Sequence, residues 1–73
     1  MTPYKNLSGN SSVVGYEIED EAITVWFEDS KNAFRYSYEG KAGKKHVDNL
    51  KKLAEFGDGL STYINFHLRY END

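Results

Sequence analysis

The chain of 73 residues has no cysteine and only one proline, one tryptophan and one methionine. Without cysteine it has neither a disulfide nor a thiolate metal site. No apolar run approaches the ~20 residues needed to span a bilayer, and no basic-then-apolar signal segment opens the chain. We therefore expect a cytoplasmic protein with one small domain that is held together by packing alone.

Aromatic residues are abundant by contrast, at 15% of the chain. Each aromatic side chain buries a large area, so a short chain gains the most core from such residues. The margin of stability is nevertheless expected to be narrow, because domains below about 80 residues rarely gain more than ~3–5 kcal/mol from one hydrophobic core.

Three segments alternate apolar and polar residues, which is the pattern of strands with one buried face. They cover residues 13–18, 23–28 and 34–39, and short polar links separate them. Because a one-residue slip would expose the whole apolar set, matching the apolar faces predicts a register for both hairpins. The predicted pairs are Ile18 with Ile23, Tyr16 with Val25, Val14 with Phe27, Phe27 with Phe34, Val25 with Tyr36 and Ile23 with Tyr38.

The second half of the chain carries apolar residues at helical spacing. They are Val47, Leu50, Leu53 and Ala54, followed by Leu60, Tyr63, Ile64 and Leu68. Gly57 is placed to end the first helix, and Asp58 is placed to cap the second. The predicted class is α+β, with a three-stranded antiparallel β-meander followed by two α-helices packed on one sheet face. We assign residues 12–70 to this single domain and residues 1–11 to a flexible N-terminal arm.

Trp26 and Arg35 are predicted to be cross-strand neighbours on the polar face of the sheet, with Gly15 on the other side of Trp26. In a structural role, the indole covers the glycine and carries the guanidinium on its ring, a contact worth about 0.5–1 kcal/mol. In a binding role, the pair stacks on a nucleic-acid base or anchors a protein partner. The structural role is favoured, and the two are compatible.

Charge is distributed unevenly along this acidic chain. Residues 1–39 carry seven acidic and three basic side chains, whereas residues 40–52 carry five lysines and one aspartate, on a chain of net charge −3. The candidate phosphate-binding residues are Lys44, Lys45, Lys51 and Lys52. A solvated helix face is the favoured alternative, because Asp48 lies four residues from both Lys44 and Lys52 and pairs of this spacing are ordinary on helices.

Catalytic and metal-binding patterns are absent from the sequence. His46 and His67 lie twenty-one residues apart, and neither has an acidic or cysteine partner at ligand spacing. We therefore predict no catalytic residue, no metal, no cofactor and no enzyme activity.

The order of several short segments resembles the KTSC domain family. The resemblance runs from about Ser12 to Tyr70. It rests on the opening Val14 and Tyr16, the run Ile23-Thr24-Val25-Trp26-Phe27, the motif Tyr36-Ser37-Tyr38, and the closing segment Tyr63-Ile64-Asn65-Phe66-His67-Leu68-Arg69. The chain departs from the family after Tyr38, where Glu39-Gly40-Lys41-Ala42-Gly43 replaces the usual Val-Pro.

The resemblance implies a short domain of a kind found alone in bacterial and phage proteins and at the C-terminus of some lysyl-tRNA synthetases. Its role is unestablished, and its association with a synthetase suggests RNA binding. Tyr36, Tyr38, Asn65 and Arg69 match the family motif, where we expect them to be mainly structural. We also expect Asn65 and Arg69, four residues apart, to share a face of the second helix and either contact a phosphate or base edge or tie the helix to its neighbours.

These observations predict a small non-catalytic module that binds RNA or another nucleic acid weakly. The candidate contact residues are Trp26, Arg35, Lys44, Lys45, Lys51, Lys52 and Arg69. The alternative is a protein-interaction or self-association module, which uses the Trp26 face or an open sheet edge.

Overall fold

The computed structural model describes residues 1–73 and contains one sheet and two helices. The elements are β1 (Thr2–Pro3), β2 (Val13–Glu19), β3 (Ala22–Phe27), β4 (Phe34–Ser37), α1 (Gly43–Phe56) and α2 (Leu60–His67). Neighbouring strands are antiparallel, in the order β1-β2-β3-β4. The α+β class is thus confirmed, with four strands instead of the three predicted. Neither helix has the length and apolar character to cross a membrane.

The fourth strand comes from the N-terminal segment that the sequence assigned to a flexible arm. Thr2 lies opposite Tyr16 in β2, and the Tyr4 N–H donates to the carbonyl of Val14 at 3.0 Å. Tyr4 is buried, and the Leu7 N–H donates to the carbonyl of Gly57 at 2.8 Å. The segment is therefore joined both to the sheet and to the end of α1. A two-residue strand has no periodicity, so the pattern of apolar residues could not indicate it.

The hairpin of β2 and β3 has the predicted register at one end and a bulge at the other. Ile18 pairs with Ile23 and Tyr16 pairs with Val25, as predicted. Beyond Gly15 the register shifts, so that Val13 lies opposite Phe27 and the predicted pair of Val14 with Phe27 is wrong. A bulge sets two residues against one on the partner strand. Val13 is consequently buried in the core, whereas Val14 is exposed.

The hairpin of β3 and β4 is displaced by two residues from the predicted register. Ile23 pairs with Tyr36 and Val25 pairs with Phe34, where Tyr38 and Tyr36 were predicted. A two-residue shift keeps every side chain on its predicted face, because side chains alternate with a period of two, and the apolar pattern cannot detect it. The link between the strands is accordingly longer than predicted, over residues 28–33.

Glycines with positive φ mark the junction between the helices. Gly57 ends α1 at φ 92°, and its N–H donates to the carbonyl of Leu53 at 2.9 Å, as predicted for a C-terminal glycine. The N-cap of α2 is Gly59 at φ 84°, without a side-chain cap. The prediction that Asp58 caps this helix was wrong. The phenol oxygen of Tyr4 instead accepts the N–H of Leu60 at 3.2 Å.

One hydrophobic core joins the sheet to both helices. α1 packs on β3 and β4, and α2 packs on α1. The largest fully buried side chains are Ile23, Val25, Val47, Leu50, Leu60 and Leu68. Each side chain of this size contributes about 1.5–3 kcal/mol when it is fully buried. The outer face of α1 and the reverse face of the sheet lie outside this core.

Candidate functional site

A cleft of about 500 Å³ opens where the link between β3 and β4 approaches the end of α2. Its aromatic floor consists of Phe27, Phe34 and Tyr36. The rings of Phe27 and Phe34 meet edge to face, with their centroids 5.5 Å apart and their planes at 66°. They come together because Phe34 pairs with Val25, which makes Phe27 its diagonal neighbour.

The rim of the cleft is polar and includes Asn65 and Arg69. Asn65 lies in the last turn of α2, whereas Arg69 follows the helix, which ends at His67. The prediction that both lie on one helix face was wrong, although they line the same cleft. Both side chains are exposed, and neither forms an ion pair or a hydrogen bond within the protein. The two side chains therefore do not tie the helix to its neighbours, and their N–H donors are free to bind a ligand.

Tyr36 connects the core to the cleft. The side chain is 3% exposed, and burial raises its pKa to about 12. Its hydroxyl therefore stays protonated at neutral pH. Of the four positions that match the KTSC motif, Tyr36, Asn65 and Arg69 line this cleft, and Tyr38 does not.

Tyr38 lies at the other end of the sheet, against α1. Its hydroxyl donates to the Oδ1 of Asp48, and the Nζ atoms of Lys44 and Lys51 lie 5.2 and 4.9 Å from its ring centroid. Lys44 Nζ is 2.8 Å from Asp48 Oδ2, and Lys51 Nζ donates to the carbonyl of Asp20 at 2.8 Å. The hydrogen bonds from Lys44 and then from Tyr38 lower the pKa of Asp48. Two of the four candidate lysines are thus engaged within the protein.

Lys45 and Lys52 are the other two candidate lysines, and both are exposed. They are seven residues apart, which places them two turns apart on one stripe of α1. Neither forms an ion pair. Their ammonium groups remain available to an external anion.

Trp26 and Arg35 are on the reverse face of the sheet but are not the neighbours that the sequence predicted. Trp26 pairs with Gly15 as expected, whereas Arg35 lies opposite Thr24. This correction follows from the two-residue shift of β4. Arg35 Nε is 3.3 Å from Glu19 Oε2, and its Nη1 is 2.9 Å from Asp73 Oδ2. The hydrogen bond to Glu19 is the main cause of the raised pKa of Arg35.

The seven candidate contact residues therefore occupy separate parts of the molecule. Trp26 and Arg35 lie on the reverse face, the four lysines on α1 and Arg69 at the cleft. Of the residues that line the cleft, the sequence singled out Tyr36, Asn65 and Arg69 but not Phe27, Phe34 or the acidic wall, Asp29. The available signal was a pair of phenylalanines on either side of a polar link, which also describes ordinary core residues.

Comparisons with protein-family models, curated proteins and solved structures found no match for this chain. The resemblance to the KTSC family therefore stays a prediction from the motifs.

Proposed function

We propose that this protein is a small non-catalytic module, similar to KTSC domains, that binds single-stranded RNA weakly through the cleft. The observation that carries the proposal is the position of Arg69 and Asn65. Both are exposed and without partners, on the rim of a cleft with an aromatic floor. A cationic donor, an amide and aromatic rings within one cleft suit the phosphate, the base edge and the base face of a nucleotide.

Each group has a counterpart in a nucleotide. Phe34 is half-buried and offers ring surface to a base, and stacking on an aromatic side chain contributes about 1–3 kcal/mol per base. The guanidinium of Arg69 suits a phosphate, because its fork of N–H groups matches two oxygens. The amide of Asn65 both donates and accepts, as contact with a base edge requires.

Asp29 favours RNA over DNA in the cleft and also limits the affinity for nucleic acid. Its carboxylate accepts hydrogen bonds, and a ribose 2′-hydroxyl is a donor that DNA lacks. The same negative charge repels additional phosphates, so the cleft suits one nucleotide better than an extended backbone. We therefore expect a preference for RNA over DNA and weak binding, in keeping with the net charge of −3.

Lys45 and Lys52 contribute at longer range in this proposal. Their free ammonium groups attract the RNA backbone without reading its sequence, and this attraction weakens with salt. Trp26 and Arg35 are left out of the contact surface, since Arg35 is already held by two carboxylates.

The test is a titration of a short, fluorescently labelled single-stranded RNA at low and at physiological salt. We expect Arg69→Gln to weaken binding by about tenfold at low salt, the effect of losing roughly 1.4 kcal/mol. Lys5→Gln is the matched control, because it removes the same charge at an exposed position outside the cleft. Equal losses in the two variants would show non-specific attraction, and no binding at low salt would overturn the proposal.

Self-association is a second candidate, favoured by two exposed aromatic residues. Phe66 and Tyr70, four residues apart near the end of α2, are 81% and 79% exposed. Large exposed aromatics are typical anchors of protein interfaces. Sedimentation velocity over about a hundredfold range of concentration, which spans the dissociation constants of weak dimers, distinguishes the two candidates. A dimer that Phe66→Ser dissociates, together with no RNA binding, would favour this candidate.

A further inference from the structure

The two histidines of the chain, which the sequence separates by twenty-one residues, meet in the structure. α1 and α2 form a helical hairpin that brings His46 and His67 together. Their ring centroids are 5.7 Å apart, with the ring planes at 28°. The sequence predicted no metal site because neither histidine had a second ligand nearby along the chain. The hairpin supplies that second ligand from the other helix.

Tyr63 and Asn49 hold the ring of His46 in place. The Nδ1 atom of His46 lies 2.6 Å from the Tyr63 hydroxyl, and the Asn49 Nδ2 donates to the same hydroxyl oxygen at 3.0 Å. His67 packs against the ring of Tyr63, with centroids 4.6 Å apart. Because Nδ1 of His46 is engaged, its Nε2 is the nitrogen left for a ligand. The cluster is not closed off, since His46 is half-buried and His67 is exposed.

We propose that His46 and His67 chelate one divalent transition-metal cation of the class that prefers imidazole, such as Zn²⁺. With a metal–nitrogen bond of about 2.1 Å, an imidazole centroid lies about 3.2 Å from the metal. Two imidazoles on a tetrahedral metal then have centroids about 5.2 Å apart. The largest possible separation, for imidazoles on opposite sides of the metal, is about 6.4 Å. The observed separation of 5.7 Å falls between these values. The two rings are stacked, so the plane of His67 must turn before both nitrogens reach one metal.

The surrounding groups fit the requirements of such a site. A metal-bound histidine normally engages its other ring nitrogen in a hydrogen bond, which orients the ring. Tyr63 provides that partner for His46. His67 forms no hydrogen bond and is exposed, so its ring is free to turn its nitrogen towards a metal bound by His46.

The presence of only two protein ligands determines the metal affinity of the site and the number of water ligands. No group of three or more His, Cys, Asp or Glu side chains is present, so water completes the coordination sphere. The affinity is accordingly modest compared with structural zinc sites, which have four protein ligands. By the general order of metal affinities, Cu²⁺ binds more tightly than Zn²⁺ or Ni²⁺.

Isothermal titration of the full chain with Zn²⁺ at neutral pH tests the proposal. We expect one Zn²⁺ per chain, and we expect either His46→Gln or His67→Gln alone to lower the affinity by at least about tenfold. Thr62→Gln, an exposed change on α2, is the matched control and should leave the affinity unchanged. Circular dichroism of each variant shows that the fold is retained.

The paired variants distinguish chelation from two independent imidazoles. Independent histidines would leave each single variant with one site of undiminished affinity, and this result would overturn the proposal. Loss in only one variant would overturn it as well. A separate readout is the melting temperature, which Zn²⁺ at the same concentration should raise more in the wild-type chain than in either histidine variant. Tyr63→Phe should retain one bound Zn²⁺ at lower affinity, because it frees the ring of His46.

Discussion

The hydroxyl of Tyr4 accepts the backbone N–H of Leu60, at 3.2 Å, across fifty-six residues of sequence. Leu60 is the first residue of α2, where the N–H groups have no partner within the helix. Tyr4 therefore supplies the cap that no side chain of the junction provides. Burial is the main cause of its raised pKa. The N-terminal segment thus contributes both apolar area and a hydrogen bond to the helical layer.

Replacing Tyr4 with Phe should lower the free energy of unfolding by about 0.5–1.5 kcal/mol, the net contribution of one hydrogen bond. The ring stays buried, so the change isolates the bond to Leu60. Urea denaturation measures the difference. Tyr70→Phe removes a hydroxyl at a position that is 79% exposed and should leave the unfolding midpoint unchanged. An equal effect of both changes would contradict the capping role.

Gly57→Ala should destabilise the protein more than Gly9→Ala. Both glycines have positive φ, at 92° and 77°, where a side chain costs about 1–2 kcal/mol. A Cβ on Gly9 meets nothing within 4 Å, whereas a Cβ on Gly57 would lie 2.6 Å from the Cβ of Lys5. The difference between the two unfolding free energies, measured in urea, therefore reports the contact with Lys5. Equal losses would mean that backbone strain alone accounts for both.

Tyr36 should make stability fall in alkaline solution. Its pKa is raised from 10.0 to about 12 by burial, so the folded chain keeps a proton that the unfolded chain loses. The contribution of Tyr36 to the free energy of unfolding is complete below pH 10 and is lost as the pH rises towards about 12. Urea midpoints measured across this range should fall more steeply for the wild-type chain than for Tyr36→Phe. Parallel curves would show that the phenol is not desolvated.

Asp48 should contribute to stability at neutral pH and lose that contribution in acid. Its pKa lies below 3.8, mainly because of the hydrogen bond from Lys44. A lowered pKa gives stability that is present above pH 3.8 and is lost as the pH falls through the folded-state value. Asp48→Asn should therefore flatten the acid limb of the stability curve. Glu55→Gln, on the same helix but without an ion pair, should preserve the wild-type slope.

Side-chain periodicity correctly indicated the core-facing residues of β3 and β4, because burial of one face repeats every second residue in a strand; in β2 it failed at Val14, beyond the bulge. Ile23, Val25 and Tyr36 are all buried as expected. The same periodicity is unchanged by a shift of two residues, so it could not determine the pairing of β4. The error placed Arg35 opposite Trp26 instead of Thr24, and a pattern with period two offers no means of detecting it.

The candidate sites depended on contacts that are distant in sequence. Asn65 and Arg69 were named from a motif, but their position in one cleft with Phe27 and Phe34 depends on how the end of α2 approaches the link between β3 and β4. The approach of His46 to His67 depends likewise on the angle and register of the two helices. Helical spacing predicts the faces of each helix separately, and it does not predict which turns of two helices meet.

The two edges of the sheet bear on how readily the chains aggregate in concentrated solution. The Asp73 N–H donates to the carbonyl of Arg35 at 2.8 Å, and the Ser37 N–H donates to Asp73 Oδ1 at 3.3 Å, so polar groups on the outer side of β4 are occupied. At the opposite edge, β1 has only two residues, and one of them is Pro3, which lacks an N–H. Neither edge therefore offers a long row of free backbone groups on which another chain could add a strand, and we expect the fold to resist growth into amyloid-like fibres.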